Sequence, residues 1–580
     1  MYIICLATDY DGTLAEDGAV SDATLRALAD FRRSGRKLVM VTGRELPDLL
    51  RVFPRTDLFD RIVAENGALL YTPATKKEKP LGPPPPEGFV ERLKAEGVEP
   101  LSVGRSIVAT WEPHEEAVLA AIREMGLDLQ IIFNKGAVMV LPAGVNKASG
   151  LKAALDDLGL SAHNVVAAGD AENDHAFMEA SGFSVAVANA LPAVKERADL
   201  VTQKPRGAGV TELIDAVIAS DVGAFGAVEE HSTVEIGKTS RGAPVTIHPH
   251  GGAALIAGLS SGGKSTLATG FIERFVARGF QVCVIDPEGD YAGLRSAVVV
   301  GDATAPPRLG EAMKALERPD QSVVVDMLAV SFEDRPAAFV QSAAAIAELR
   351  GRTGRPHWLV VDEAHHVLPA ERNASAGALP RTLPAAILIT VDPSQLAPDA
   401  LERVDEIFAV GARAEETVRV FCEALAIDPP ELPSGRKEGE AILWRRRAGS
   451  PPEIFIGHPS AEKAGRHTRK YAEGELGEDK SFYFRGPDKA LNLRAQNLTV
   501  FVQIADGVDD ATWGHHLEAH DYSRWMREAI KDADLADEVR VAEDEGGAPS
   551  QTRRRVREAI ERRYTAPAEA PASPLAAGVS

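Results

Sequence analysis

Ala7-Thr8-Asp9-Tyr10-Asp11-Gly12-Thr13-Leu14 is the stretch from which the fold can be read. It follows Ile3-Ile4-Cys5-Leu6, an apolar run of the kind that forms a short buried strand. Two carboxylates thus stand two residues apart where a strand gives way to a Gly-Thr turn. Residues i and i+2 point the same way along a strand, so Asp9 and Asp11 converge on one small volume. One carboxylate in such a pair can attack an electrophile while the other moves a proton. Two anions this close require a cation, or one must stay protonated; Mg²⁺ would meet that need beside a phosphate. An acidic turn that merely caps a helix would carry the same residues, so the rest of the chain decides between the two.

The segments downstream repeat the pattern. Ser21 caps a predicted helix that ends near Gly35, and Lys37-Leu38-Val39-Met40-Val41 is a second strand running into Thr42-Gly43-Arg44. This β-α-β alternation predicts a parallel, doubly wound sheet, in which ligands bind beyond the carboxyl ends of the strands. Thr42 there would offer a hydroxyl to a phosphoryl oxygen. Ile62 to Tyr71 contains Glu65-Asn66-Gly67. The span from about Thr72 to Pro142, with Pro83-Pro84-Pro85-Pro86 and strand-like runs at 106–110 and 137–141, breaks the pattern and reads as an inserted α+β cap. A lid of this kind excludes water and selects the leaving group. The core resumes at Gly144-Val145-Asn146-Lys147, where the lysine could pin a phosphate. The strand Val165-Val166-Ala167-Ala168 then leads into Gly169-Asp170-Ala171-Glu172-Asn173-Asp174, which spaces Asp170 and Asp174 as oxygen ligands for a hard cation.

These five short motifs, in this order, resemble the haloacid dehalogenase (HAD) phosphatases, and the cap position and the GDAEND form resemble the Cof-type or sucrose-phosphatase-like branch. Asn189 also fits that branch. The resemblance covers about residues 1–215. It implies Asp9 as nucleophile, Asp11 as acid/base and Thr42 and Lys147 as phosphate ligands. A Mg²⁺ ion is expected among Asp9, Asp11, Asp170 and Asp174. The implied reaction is hydrolysis of a phosphate monoester through an aspartyl-phosphate.

A second motif set comes after a transition near Ser220 to Pro249, where 234–237 and 243–247 look like a hairpin. Ala253-Ala254-Leu255-Ile256-Ala257 runs into Gly258-Leu259-Ser260-Ser261-Gly262-Gly263-Lys264-Ser265-Thr266, the G-x-x-x-x-G-K-S pattern of a P-loop. Backbone N–H groups of such a loop wrap phosphates, Lys264 reaches the β/γ oxygens and Ser265 reaches Mg²⁺. Gly258, Gly263, Lys264, Ser265, Thr266 and Asp362 are therefore the expected ATP-binding residues. Trp358-Leu359-Val360-Val361 ends in Asp362-Glu363-Ala364-His365-His366, a Walker-B pattern in which Asp362 holds Mg²⁺ and Glu363 activates water. Thr390 or Gln395 are candidate γ-phosphate sensors, and Arg381 and Arg413 candidate arginine fingers. With the Asp286-to-Tyr291 turn, residues 230–458 resemble HerA/FtsK-type ATPases. The Thr390-Val391-Asp392 sequence departs from that family where Thr-Gln is usual. The adjacent His365 and His366 do not face one another on a helix, which weighs against a shared metal.

The chain has 580 residues, enough for several domains. Its net charge of -21 argues against a generally basic nucleic-acid wrapper. Cys5, Cys283 and Cys422 lie far apart in apolar segments and read as reduced core residues. With no basic n-region and no long apolar run, a cytoplasmic location and no membrane contact are expected.

The expected organisation is thus α/β. A HAD Rossmann-like core with a small cap fills 1–220, the cap lying at about 72–142. A P-loop NTPase parallel-sheet domain fills 230–458, and a small, mostly helical C-terminal module 460–540. A disordered tail is expected at 541–580, with a basic helix possible at 551–563. His516 and His520, at i,i+4, either share a ligand or lie on a polar helix face. The leading functional expectation is a Mg²⁺-dependent phosphatase for a small metabolite, such as a sugar phosphate or phosphoglycolate, fused to an ATP-binding and hydrolysing domain that could form a homo-oligomer. The alternatives are a DNA- or RNA-processing ATPase with an end-phosphatase, and an ATP-switched scaffold.

Overall fold

A computed structural model describes residues 2–134, 136–226, 233–259, 263–371, 385–460, 476, 481–487, 489, 491–530 and 532–564. The first unit is built on an eight-stranded sheet. Its order is Leu200–Val201, Phe183–Ala186, Val165–Gly169, Cys5–Thr8, Lys37–Val41, Arg61–Ala64, Leu69–Thr72 and Lys77–Pro80. The six strands from Leu200–Val201 to Arg61–Ala64 pair in parallel, and the last two add antiparallel. Strands such as Cys5–Thr8 are buried on both faces because helices cover both sides, which is why they read as continuous apolar runs.

The cap is a four-stranded antiparallel sheet, Ser102–Val103, Val108–Trp111, Ala137–Pro142 and Leu129–Asn134, backed by helices Phe89–Ala95 and Glu115–Glu124. Its own core gathers Phe89, Leu93, Val118 and Val140. The expected boundary at Thr72 is early. Lys77–Pro80 belongs to the core sheet, as an exposed edge strand with little apolar signal to mark it.

The second unit is an eleven-stranded mixed sheet. Its parallel centre runs Val404–Ala409, Ala253–Ala257, Ala386–Thr390, Trp358–Val361, Val282–Asp286, Ser322–Asp326 and Ala297–Val300. The antiparallel strands Ala441–Arg445, Glu453–Gly457, Val234–Thr239 and Pro244–Ile247 extend one edge. The expected hairpin at 234–247 is part of this edge.

The two units meet at the amino ends of their strands. Asn164 stands just before Val165–Gly169, and its amide N–H donates to Tyr2 O at 2.8 Å. Its Oδ1 lies 3.1 Å from His357 Nε2, immediately before Trp358–Val361. Arg355, fully buried, donates to Gly159 O at 2.7 Å and to Glu317 O and Leu316 O at 3.1 Å. His163 stacks on Phe280 with ring centres 3.9 Å apart. Both sheets therefore point their carboxyl ends away from this junction.

The third unit pairs Phe482–Phe484 with Leu493–Ala495 and packs them under helices Leu498–Gly507, Asp510–Glu518, Asp521–Glu528, Ala533–Glu545 and Pro549–Tyr564. Phe484, Phe501, Trp513 and Tyr522 form its centre. The module extends past residue 540. Val556, Ala559 and Ile560 are buried against it, and Trp513 Nε1 donates to Thr552 Oγ1 at 2.9 Å. The expectation of a disordered tail from 541 thus fails as far as Tyr564; the part that falls on 565–580 lies outside the described residues. Arg553, Arg554, Arg555 and Arg557 each pair with a carboxylate of the module, so this helix is held by ion pairs rather than presenting a bare basic face. All three cysteines are free and buried.

Candidate active site

In the first unit the strand register brings the polar turns together. Cys5–Thr8 lies between Lys37–Val41 and Val165–Gly169, with Thr8 level with Met40 and Ala168. The residues just past those ends, Asp9, Thr42 and Asp170, therefore share one edge. Asp9 N donates to Ala168 O at 3.0 Å, which fixes its backbone. Helix Lys147–Leu158 delivers Lys147 from the side, with Asn146 as a reciprocal cap on Ser149. Its first turn packs so closely on Gly67 that a Cβ there would lie 2.0 Å from Asn146 O; the glycine of Glu65-Asn66-Gly67 makes room for the lysine loop.

Lys147 is buried, and its Nζ donates at 2.6 Å to both Asp9 Oδ1 and Asp174 Oδ1. Asp174 Oδ2 accepts from the backbone N–H groups of Asp170 and Ala171, each at 2.9 Å. Asp170 Oδ1 accepts from Thr13 Oγ1 at 3.0 Å. Asp9, Asp170 and Asp174 offer carboxylate oxygens that lie within 4.8 Å of one another. Three buried carboxylates with one lysine carry excess negative charge. Burial, with Asp174 and Asp170 nearby, pushes Asp9 up to about 8 against the pull of Lys147. Hard oxygen donors in this arrangement suit Mg²⁺, and a divalent cation would neutralise the excess.

Thr42 is buried at the same edge, and its Oγ1 accepts from Arg44 N at 3.1 Å. The carboxylate of Asp11 lies outside the three-carboxylate cluster. Arg44 grips it with two bonds, Nε to Oδ2 and Nη2 to Oδ1, each 2.7 Å, and also pairs with Asp48. Asn189 is structural: its amide donates to Gly12 O and accepts from Arg206 N, both at 2.8 Å. Glu65, fully buried, accepts from the cap's Arg105 and Ser106 N–H groups at 2.9 Å and so ties the cap down. Sequence reasoning gave no role to Arg44, Glu65 or Thr13. Arg44 and Glu65 stood inside quoted motifs, which was the available signal; Thr13 followed Gly12 in the opening turn. Between core and cap lies a cavity of about 760 Å³, with Asp9 and Asp11 in its wall.

In the second unit, Gly258 directly follows strand Ala253–Ala257 at φ +155, with no room for a Cβ, which would meet Val410 O at 2.2 Å. Gly263 caps helix Lys264–Ala277 at φ 90. Lys264 is buried and donates to Gly258 O at 2.8 Å and Leu259 O at 3.2 Å. Ser265 is partly exposed and Thr266 exposed at the helix start; Ser260, Ser261 and Gly262 lie outside the described residues. Thr390 ends the strand between those carrying Gly258 and Asp362, so the three stand along one edge. Asp362 is buried there. Glu363 adopts φ 37 and lies 3.5 Å from His365 Nδ1, and Thr390 Oγ1 is 3.3 Å from that same nitrogen. Asp286 anchors its turn by accepting from Tyr291 N at 2.7 Å, and burial pushes its carboxyl up to about 6. His366 Nδ1 lies 3.7 Å from Glu288, and its ring is tilted against that of His365 with centres 4.3 Å apart. Gln395 is exposed, Arg413 is paired with Glu416, and Arg381 lies outside the described residues.

His516 and His520 do not converge. His516 pairs with Asp521 at 2.7 Å, and His520 with Glu543 at 3.3 Å.

A family model described as haloacid dehalogenase-like hydrolase matches residues 6–81 and 116–214. The phosphoglycolate phosphatase of Methanothermobacter thermautotrophicus is 32% identical over 218 residues, 36% of this chain and 96% of that protein. Phosphoglycolate phosphatase 2 of Saccharolobus solfataricus is 32% identical over 233 residues, 38% of this chain and 94% of its own. Among solved structures, a haloacid dehalogenase-like hydrolase from Bacteroides thetaiotaomicron is 19% identical, covering 37% of this chain and 98% of its own, with a TM-score of 0.33.

Proposed function

Since the chain belongs, through its N-terminal segment, to the haloacid dehalogenase-like hydrolases, we propose that this segment cleaves phosphate monoesters of small metabolites by way of an aspartyl-phosphate. The observation that carries the reading is Lys147 bridging Asp9 and Asp174, beside Asp170 and under a capped cavity. Asp9 attacks phosphorus and the ester P–O bond breaks. Asp11 gives a proton to the departing alkoxide, then takes one from the water that hydrolyses the acyl phosphate. Lys147 and the Thr42 hydroxyl hold phosphoryl oxygens. Asp9, Asp170 and Asp174 would hold Mg²⁺, which supplies charge neutralisation for the transferring phosphoryl group. The bidentate Arg44 grip positions Asp11 at the cavity wall. The name of the relatives makes phosphoglycolate one substrate class to try, and a sugar phosphate is the other.

For the second unit the proposal is ATP binding and hydrolysis. Its support is the placement of Lys264, Thr390 and Asp362 along one sheet edge, with Glu363 beside His365. Phosphate release from a monoester panel, with and without ATP, on wild type, Asp9→Asn and Lys264→Ala tests both halves. Asp9→Asn should abolish monoester cleavage and spare nucleotide binding, and Lys264→Ala the converse. Loss of both activities in either variant would overturn the division of labour. Among the described residues no helix is long and apolar enough to cross a membrane.

A further inference from the structure

Glu65-Asn66-Gly67 takes no part in the chemistry proposed above, yet it touches the segments that do. All three residues adopt positive φ, 52°, 54° and 111°, and the first two are not glycine. Such a backbone persists only where its surroundings over-determine it, and it gathers at functional sites. Glu65 N donates to Arg44 O at 2.9 Å, and Asn66 N donates to Thr42 O at 3.0 Å. Asn66 Oδ1 accepts from Asn173 Nδ2 at 3.0 Å, in the turn that carries Asp170 and Asp174. Gly67 lies against Asn146, the residue before Lys147.

The Glu65 side chain reaches the other way, to the cap. It is fully buried, and its two oxygens accept one bond each from Arg105 N and Ser106 N, both at 2.9 Å. A buried carboxylate is costly unless hydrogen-bonded, and these bonds come from the cap's backbone. The fit is tight: a Cβ on Gly104 would lie 2.7 Å from Glu65 Cδ and Oε2. Ser106 Oγ donates to Gly82 O at 2.9 Å, and an exposed ion pair joins Arg105 to Glu78 at 3.0 Å, so one turn of the cap carries several ties to the core. Glu65 is not among the described residues that line the cavity.

Resting on the phosphatase reading above, we infer that Glu65 is a positioning residue that joins the seating of the cap to the placement of Arg44 and, through the Arg44 grip, to the aim of Asp11 as proton donor. The cap turn holds the carboxylate, the carboxylate holds the left-handed backbone, and that backbone holds Arg44 O. With the turn unseated the backbone relaxes, Arg44 shifts, and Asp11 no longer meets the departing oxygen. A displacement of about 1 Å at a reacting group costs roughly 10²-fold in rate.

The test uses the full chain with Mg²⁺ and compares kcat/KM, which reports the steps up to the aspartyl-phosphate, on two kinds of ester. One is a sugar phosphate or phosphoglycolate, whichever turns over faster, whose alkoxide needs a proton to leave. The other is p-nitrophenyl phosphate, whose phenolate leaves without one and so depends little on Asp11. Glu65→Gln sets an amide N–H₂ against a backbone N–H. It should lower kcat/KM roughly 10²-fold on the alkyl ester and about tenfold or less on the aryl ester. Gly104→Ala pushes the turn off Glu65 without altering the core and should reproduce both the loss and its dependence on the leaving group. Amide hydrogen exchange over residues 101–108 should rise in both variants. Glu78→Ala, which removes the exposed ion pair alone, should stay within about twofold of wild type. Equal losses on the two esters, an equal loss in Glu78→Ala, or unchanged exchange in Glu65→Gln would each overturn the inference and leave the phosphatase standing. No cleavage of any ester by wild type would remove the phosphatase reading, and this inference with it.

Discussion

The same strands that gather carboxylates at one end bury neutral polar groups at the other. At the carboxyl ends stand Asp9, Asp170, Asp174 and, in the second unit, Asp286, Asp326 and Asp362, all buried. At the amino ends stand Asn164, His163 and His357, packed around Tyr2 and Phe280. Burial lowers the pKa of His163 and His357, which keeps both imidazoles neutral near pH 7. The difference separates two jobs along one element. Charge held out of water at the carboxyl end is concentrated in carboxylates and suits chemistry; at the amino end neutral contacts and one buried arginine, Arg355, whose N–H groups donate to Gly159 O, Leu316 O and Glu317 O, weld the units. It also places the two proposed sites away from the junction, so a product of one has no short path to the other.

The sharpest way to break the contrast is at the first carboxyl end. Asp9→Asn removes the proposed nucleophile, so monoester turnover should fall at least about 10³-fold. Thermal stability without Mg²⁺ should hold or rise, because a neutral amide replaces a carboxyl that burial already pushes up to about 8. A stability loss comparable to a core cavity mutant would show that Asp9 is structural. At the second carboxyl end, the proposed ATP turnover should fall roughly 10²-fold or more in Lys264→Ala, which removes the buried cation at the start of helix Lys264–Ala277. Its monoester turnover should stay within about twofold of wild type.

Asp9, Thr42, Lys147, Asp170 and Asp174 were legible because each sits one or two residues past an apolar strand or at a helix start, and such positions show in local spacing. Lys264 and Asp362 were legible for the same reason. The Arg44 grip on Asp11 and the Glu65 tie to the cap were not, since they join segments 33 and about 40 residues apart with no local signature. Nor was the Asn164–His357 contact, 193 residues apart, or the way it turns the two sheets end to end. The last helix was half legible. A basic helix can be read at 551–563, but the burial of Val556, Ala559 and Ile560, at i, i+3 and i+4, against a distant helical module has no local signature.

The amino ends respond differently. Arg355→Ala withdraws hydrogen bonds from Gly159 O, Glu317 O, Leu316 O and the buried Gln281 Oε1, of which Leu316 O keeps a donor in Gln281 Nε2. Such a loss costs about 3 kcal/mol, read as a lower denaturant midpoint, with kcat on a monoester unchanged for the folded fraction. A changed kcat would mean that the junction communicates with Asp9, and that the two ends of the sheet are not separate.

The mildest perturbation is pH. His357 Nδ1 accepts from Gln281 N at 2.9 Å, and its Nε2 faces Asn164 Oδ1, so the ring is neutral with its one proton on Nε2. Burial and the nearby His163, Arg355 and Arg350 hold its pKa well below the usual value. The unfolded chain takes up a proton below about pH 6.5, and the folded chain does not. The unfolded state then binds more protons, so stability is full above that pH and falls as pH drops below it, by about 1.4 kcal/mol per unit for each such histidine. His163 is shifted the same way, and His250, beside Tyr2, is lowered to about 4, so both steepen the slope. His357→Gln does not titrate and should flatten the slope between pH 6.5 and 5 by about one such increment, measured as denaturant midpoints across that range. An unchanged slope would mean that water already reaches His357, and that the amino ends are less tightly joined than their hydrogen bonds indicate.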